Sequence, residues 1–209
     1  MTRDAVHVAG SRSFAAEVAD FARDAGLPVA GLVEPYDPGR IGTTIHGLPV
    51  RSLEGGPSGD SQAVLLGTGE PARRELVARL QAAGWHPAAL VHPRAHIAPS
   101  ASVAEGALIG PGVIVGAHAT IGSHVVVGRG ALVGHHTEVG AFATLGPGAN
   151  VAGNVRLAED VFVGMSAAIR DHVTVGKSAV VAMGAVVVGD VPEGAEVRGV
   201  PARESERDE

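Results

Sequence analysis

Two adjacent histidines form the densest group of reactive side chains in the sequence. His135 and His136 stand in the segment Gly-His-His-Thr-Glu, which ends at Glu138. An imidazole exchanges its proton near neutral pH, so such a histidine can take a proton from an attacking amine or hydroxyl. The same residues would also suit an ordinary solvated turn. The segment is therefore a candidate catalytic site whose meaning depends on the elements that carry it.

The histidine pair lies inside a run in which an aliphatic residue recurs every six positions. The run extends from Ile97 to Val187, and all sixteen positions hold Ile, Leu or Val without an insertion. A small or β-branched residue follows four positions after each of the first fifteen. Neither a helix nor a single strand has this period, whereas hexapeptides specify a parallel β-helix. We predict about five triangular coils, in which residues 18 apart stack on neighbouring strands.

The first part of the chain follows a different pattern. Short apolar runs alternate with amphipathic segments, which predicts a small parallel sheet wound in the Rossmann manner. The predicted strands are 5–10, 28–34, 45–50 and 63–67, and the predicted helices are 13–25 and 71–83. The predicted fold is thus an α/β Rossmann-like N-terminal domain followed by a hexapeptide-repeat solenoid. We place the domains at 1–93 and 94–190, with a C-terminal loop and tail at 191–209.

Composition excludes several classes of function. The formal net charge is −6 and no dense Lys/Arg cluster occurs, which argues against a nucleic-acid partner. Cysteine is absent, so disulfides and thiolate chemistry are excluded, and a cytoplasmic location is compatible with this. No apolar stretch is long enough to predict a membrane span, and the N-terminus does not resemble a secretory signal.

Four segments, taken in order, resemble the NeuD/PglD-like sugar O-/N-acyltransferases of bacterial amino-sugar biosynthesis. They are LVHPRAHIAPSA (90–101), VGHHTEVGAFATLGPGANVAGNV (133–155), VFVGMSAAI (161–169) and GAVVVGDVPEGAEVRGVPAR (184–203). The resemblance covers about residues 5 to 203. It implies a left-handed β-helix, acetyl-CoA as acyl donor, a sugar or sugar-nucleotide acceptor, and a homotrimer with sites between subunits.

The resemblance also assigns catalytic roles. The family carries a histidine base followed by Asp or Glu, and His135 matches the base. His136 stands where the carboxylate is expected, which is a departure: a neutral imidazole can accept a hydrogen bond from His135 but offers no negative charge. Either His135 acts unaided, or another carboxylate such as Glu138 serves, or the activity is lost or changed. We expect His135 to be the base.

Binding residues follow from the same resemblance. The nucleotide sugar is expected at the turn after the first strand and at the ends of the second and third strands. The matching residues are Gly10, Ser11, Arg12, Ser13, Glu34 and Gly67. Only Gly10 and Glu34 fit the family pattern clearly, so the acceptor need not be UDP-linked. Acetyl-CoA is expected between adjacent solenoids, near Thr144, Met165 and Met183.

A metal site is not expected. His118, His136 and His172 are separated by multiples of 18 and so share one column of the solenoid. Carbonic anhydrases of related fold bind zinc through histidines at a different local spacing, so the column is interpreted as a repeated turn position.

The predicted function is acyl-CoA-dependent N-acylation of an amino sugar or nucleotide-linked amino sugar. An O-acetyltransferase acting on a sugar hydroxyl and a catalytically silent β-helix that binds a ligand or scaffolds a complex are the alternatives.

Overall fold

A computed structural model of the chain describes residues 4–57, 61–68 and 73–205. These residues form two compact units, one ending at Pro93 and the other beginning at Arg94. Parts of two sequence predictions, the start of the second helix at 71–72 and the last four residues of the tail, lie outside the described residues.

The first unit is built on a largely parallel sheet. The strands of this sheet are β1 Val6–Ala9, β2 Val29–Glu34, β3 Thr44–Ile45, β4 Leu48–Ser52, β5 Ala63–Leu66 and β6 His86–Pro87, whereas β7 Leu90–Val91 is not part of it. The strand order is β3-β4-β2-β1-β5-β6, and only the β3–β4 hairpin is antiparallel. The helices are α1 Ser13–Asp24 and α2 Arg73–Ala82, and Pro38–Arg40 forms one 3₁₀ turn.

The core of this unit contains a buried histidine at the centre of β1. His7 is 2 % exposed and its ring packs edge-on against Trp85, with the ring centroids 4.8 Å apart. Neither of its ring nitrogens has a hydrogen-bond partner among the described residues. Burial, and secondarily the nearby positive charge of Arg51, lowers the pKa of His7. His7 is therefore held as a neutral imidazole.

The second unit is a β-solenoid of the left-handed β-helix type, as predicted. Each of the sixteen predicted inward positions is the second residue of a two-residue strand. The strands are β8 His96–Ile97, β9 Ser102–Val103, β10 Leu108–Ile109, β11 Ile114–Val115, β12 Thr120–Ile121, β13 Val126–Val127, β14 Leu132–Val133, β15 Glu138–Val139, β16 Thr144–Leu145, β17 Asn150–Val151, β18 Arg156–Leu157, β19 Phe162–Val163, β20 Ala168–Ile169, β21 Thr174–Val175, β22 Val180–Val181 and β23 Val186–Val187. Each strand from β8 to β20 pairs in parallel with the strand three further along the chain, so three flat faces enclose one core of Val, Ile, Leu and Ala.

The corners of the solenoid repeat one backbone conformation over most of its length. In fourteen consecutive hexads, from Gly106 to Gly184, the third residue after the inward one has a positive φ. Glycine adopts this conformation freely, and Asn, Asp and His do so more readily than bulkier residues. His118, His136 and His172 all occupy this position, with φ of 58°, 56° and 59°. The histidine column is a repeated turn position, as predicted.

The prediction of a loop and tail at 191–209 is wrong for the described part. Val191 bridges to Val175, β24 (Glu196–Arg198) pairs in parallel with β22, and β25 (Arg203–Ser205) pairs antiparallel with β24. Two residues are missing from one hexad, after which Val191 and Val197 resume the inward spacing and both are buried. Because the buried pattern resumes, the chain adds a further partial coil to the end of the solenoid.

Candidate active site

The histidine pair lies on an exposed corner between β14 and β15. His136 occupies the corner position itself, with φ of 56°. The rings are nearly perpendicular, and the Nδ1 atoms of His135 and His136 are 3.1 Å apart. One Nδ1 must donate a proton and the other accept it, so the tautomers of the two rings are coupled. When His135 donates, its Nε2 is free to accept a proton.

The corner is fastened to the next coil by a buried hydroxyl. Thr137 is fully buried; its Oγ1 donates to the carbonyl of Ala152 over 2.8 Å and accepts from the amide of Val155 over 3.3 Å. The carbonyl of His135 accepts from the amide of Asn154 over 2.9 Å. These bonds hold the backbone of the pair in place on both sides.

Gly153 lies directly against the imidazole ring of His135. A Cβ at this position would lie 2.7 Å from both Cε1 and Nε2 of His135. Such distances are shorter than van der Waals contact, so only glycine accommodates the imidazole in this orientation. The role of Gly153 could not be predicted from the sequence, because it depends on a side chain one coil away.

A third imidazole supports the pair from the preceding coil. The rings of His118 and His136 have centroids 4.9 Å apart and are tilted by 36°. The amide of His118 in turn donates to Oγ of Ser100 over 3.1 Å. His136 is thus packed against His118 on one side and hydrogen-bonded to His135 on the other.

The carboxylate proposed as an alternative partner has a different neighbour. Glu138 lies on the outer face of β15 and makes two hydrogen bonds to Arg156, from Nε over 3.0 Å and from a terminal nitrogen over 3.4 Å. This contact raises the pKa of Arg156. Among the described residues, His136 is the hydrogen-bond partner of the His135 ring. Glu138 is oriented along the face of the solenoid rather than toward the pair.

The predicted acceptor-binding residues gather at the carboxyl ends of three neighbouring strands. Gly10 follows β1, Glu34 ends β2 and Gly67 follows β5. A Cβ on Gly67 would lie 2.6 Å from Val8 and 2.9 Å from the Cα of Ala15 in α1, so glycine allows the helix to approach the sheet. Arg12 and Ser13 are exposed at the start of α1. The turn before α1 therefore lies at the edge where open α/β sheets bind ligands.

Buried polar groups fasten this turn. Ser11 donates to one oxygen of Glu34, and the other oxygen accepts from the amides of Tyr36 at 2.7 Å and Asp37 at 2.9 Å. A terminal nitrogen of Arg40 donates to the carbonyl oxygen and Oγ of Ser11, over 2.9 and 3.2 Å. Glu34 thus joins the turns after β1 and β2. Arg40 was missed because it stands in a Gly/Pro-rich stretch without a recognisable pattern.

The predicted cofactor residues lie on other parts of the solenoid. Thr144 is half-buried on the face formed by β16, where it is in register with Phe162 of β19. Met165 and Met183 follow β19 and β22 and are 48 % and 70 % exposed. They lie one coil apart on a different corner from His135. A single chain therefore presents the histidine pair and the methionines on separate edges.

The described parts of the chain contain neither a metal-binding cluster nor a membrane-spanning helix. No group of three or more His, Asp or Glu residues there is arranged to hold a metal ion. Neither of the two described helices has the length and apolar character needed to cross a membrane.

The second unit is thus a hexapeptide-repeat solenoid that carries a hydrogen-bonded histidine pair on one exposed corner. No family model matches the chain, and no curated protein does. Among solved structures, PerB from Caulobacter crescentus in complex with CoA and GDP-perosamine is 30 % identical, with 97 % of each chain covered and a TM-score of 0.87.

Two other solved structures agree with this comparison. The acetyltransferase domain of PglB from Neisseria gonorrhoeae, in complex with acetyl coenzyme A, is 28 % identical over 98 % of this chain and 100 % of its own, with a TM-score of 0.85. WeeI from Acinetobacter baumannii AYE is 28 % identical over 97 % and 100 %, with a TM-score of 0.89. The chain belongs to the NeuD/PglD-like family of hexapeptide-repeat sugar acyltransferases.

Proposed function

We propose that this protein is an acetyl-CoA-dependent N-acetyltransferase acting on a nucleotide-linked amino sugar, with His135 as the general base. The single observation that carries the base assignment is the 3.1 Å contact between the Nδ1 atoms of His135 and His136. A neutral His136 accepts the Nδ1 proton of His135, which leaves Nε2 of His135 as the basic atom. The amino-sugar and CoA complexes of the similar proteins support the choice of substrates.

The reaction needs no covalent enzyme intermediate. The amine nitrogen attacks the thioester carbon, the C–N bond forms, and the C–S bond breaks with its electron pair leaving on the CoA sulfur. Nε2 of His135 removes the proton that the nitrogen loses, and positioned acid–base catalysis of this kind contributes about 10²–10⁴-fold. The amide product and CoA then leave.

The first unit is proposed to be a Rossmann-like domain that binds the acceptor nucleotide. Its strand order changes direction between β1 and β5, and ligands of such sheets bind at that point, beyond the carboxyl ends of the strands. Gly10, Ser11, Arg12, Ser13 and Gly67 lie there, and the start of α1 favours an anionic group. Glu34 is buried, and we propose that it supports binding by ordering the turn.

Acetyl-CoA is proposed to bind along a groove between two copies of the chain. His135 and the candidates Thr144, Met165 and Met183 lie on different edges of one solenoid, so a shared site requires a second copy to bring them together. A homotrimer with sites between subunits meets that requirement, with residues 94–190 as the transferase domain. We also propose a cytoplasmic location, with which the absence of cysteine is compatible.

The test is CoA thiol release from acetyl-CoA with a panel of nucleotide-linked amino sugars, the corresponding hydroxy sugars and simple amines. Release with an amino sugar is expected, and His135→Ala should lower it by at least 10²-fold while the unfolding temperature is kept. Release with the hydroxy sugars alone would indicate O-acetylation. Acetyl-CoA binding without release from any acceptor would indicate a silent scaffold.

A further inference from the structure

The histidine pair lacks the negative charge that normally accompanies a histidine base. If His135 simply kept the substrate proton, it would become an imidazolium whose hydrogen-bond partner among the described residues is another imidazole. A carboxylate in that place would form a charge-assisted bond, about twice as strong as a neutral one. An efficient reaction at this site therefore requires a route that avoids a lasting positive charge on His135.

The positions of the ring nitrogens provide such a route. The two Nδ1 atoms face each other at 3.1 Å, so a proton can cross from His135 to His136 along one hydrogen bond. His136 lies on an exposed corner, and its Nε2 is the remaining proton-carrying atom of that ring. We propose that His136 is a catalytic proton relay: as Nε2 of His135 takes the substrate proton, the Nδ1 proton of His135 crosses to His136, which releases a proton to water. The inference rests on the proposed function.

The steps balance with both rings neutral before and after each transfer. As the amine loses its proton to Nε2 of His135, the Nδ1 proton of His135 moves to Nδ1 of His136, and Nε2 of His136 releases its proton to water. His135 then carries its proton on Nε2, where it protonates the departing CoA thiolate. The Nδ1 proton returns from His136, and Nε2 of His136 takes a proton from water. The net products are the acetamide and CoA thiol.

The surroundings of His136 keep the relay bond short. Its backbone occupies the corner conformation with φ of 56°, and its amide donates to the carbonyl of Ala117 over 2.9 Å. The ring of His118 packs against it with centroids 4.9 Å apart. His118 therefore has a positioning role: it limits rotation of the His136 ring without touching the reacting atoms.

The chain itself suggests the matched variant. Asn154 occupies the same corner position one coil later, with φ of 58°, so His136→Asn suits the backbone. The Asn oxygen can accept the Nδ1 proton of His135 as the His136 nitrogen does, but it cannot pass a proton on. His136→Asp accepts the same bond and adds the missing charge. Together the two variants distinguish a His136 that only holds His135 in place from a His136 that also relays its proton.

The experiment measures kcat for thiol release in mixtures of H₂O and D₂O, with acetyl-CoA and the best nucleotide-linked amino sugar of the panel. The relay predicts that kcat of the native enzyme varies along a curve with the deuterium fraction, because several protons move together. His136→Asn should lose about 10–100-fold in kcat, up to the lower end of the contribution of acid–base catalysis because His135 is retained, and give a straight line. His136→Asp should regain most of the rate, also with a straight line.

Two results would overturn the relay: a straight line for the native enzyme, or native kcat in His136→Asn. Either would leave His136 as a group that only orients His135, and the proposed function would stand. Native turnover in His135→Ala would instead contradict the proposed base, and the relay with it. Unfolding temperatures of all variants establish that rate changes do not come from unfolding.

Discussion

Replacing Gly153 by alanine tests the orientation of His135 without touching any reacting atom. The new Cβ would lie 2.7 Å from Cε1 and Nε2 of the imidazole, whereas ordinary contact begins near 3.4 Å. The ring must therefore move by about 0.7 Å or rotate away, and misplacement on this scale costs up to about 10²-fold in rate. We expect kcat for thiol release to fall 10- to 100-fold, which corresponds to about 1.4–2.7 kcal/mol of barrier.

Stability should respond in the opposite sense, because the contacted atoms belong to an exposed side chain that can move. Replacing a glycine of ordinary φ by alanine stabilises a protein by about 0.4–1 kcal/mol, because it lowers the conformational entropy of the unfolded chain. Gly153→Ala should thus unfold at the same temperature as the native protein or slightly higher. Gly189→Ala is the matched control: its Cβ would meet nothing within 4 Å, so neither rate nor folding should suffer.

The expectation is refuted if Gly153→Ala keeps native kcat. In that case the ring position over Gly153 is not the one used in catalysis. A large fall in unfolding temperature would also contradict it, because the loss would then come from the fold. Thiol release and thermal unfolding of both variants distinguish these outcomes.

Three further predictions concern other parts of the chain. Because burial lowers the pKa of His7, this histidine binds a proton more readily in the unfolded protein than in the folded one. Its contribution to stability is therefore complete above about pH 6.5 and is lost as the pH falls below that value. His7→Leu should flatten the pH dependence of stability in urea unfolding from pH 7 to 5, and an unchanged slope would contradict this. Gly67→Ala should destabilise the protein by about 1–3 kcal/mol in urea unfolding, since its Cβ would lie 2.8 Å from the carbonyl oxygen of Ala9. Native stability of this variant would mean that the sheet and α1 accommodate the added methyl group. Glu138→Gln should leave kcat and unfolding temperature nearly unchanged, because its exposed pair with Arg156 contributes little; a 10²-fold loss of kcat would identify Glu138 as the partner of the base.

Much of the solenoid could be predicted because its structure is periodic. An inward aliphatic residue every six positions leaves one arrangement in which all are buried together, and all sixteen lie on strands. The final partial coil was missed because one shortened hexad shifts the spacing at Val191. Its burial depends on the core surface that the preceding coil presents, which no local pattern records.

The site was only partly predictable for the same reason. Adjacency in sequence identifies His135 and His136, but not that their Nδ1 atoms meet at 3.1 Å. Likewise, Arg40 reaches Ser11 across 29 positions, and nothing in the intervening sequence indicates that contact.

What the sequence determines by itself is the repeat, the corner positions and the residue types that stand on them, because these depend on spacing along one chain. The tertiary structure alone decides which neighbours meet across coils 18 residues apart. It places Gly153 beneath His135 and His118 against His136. Stacking of the coils brings these side chains together, and their mutual orientation determines which nitrogen of His135 is available as a base.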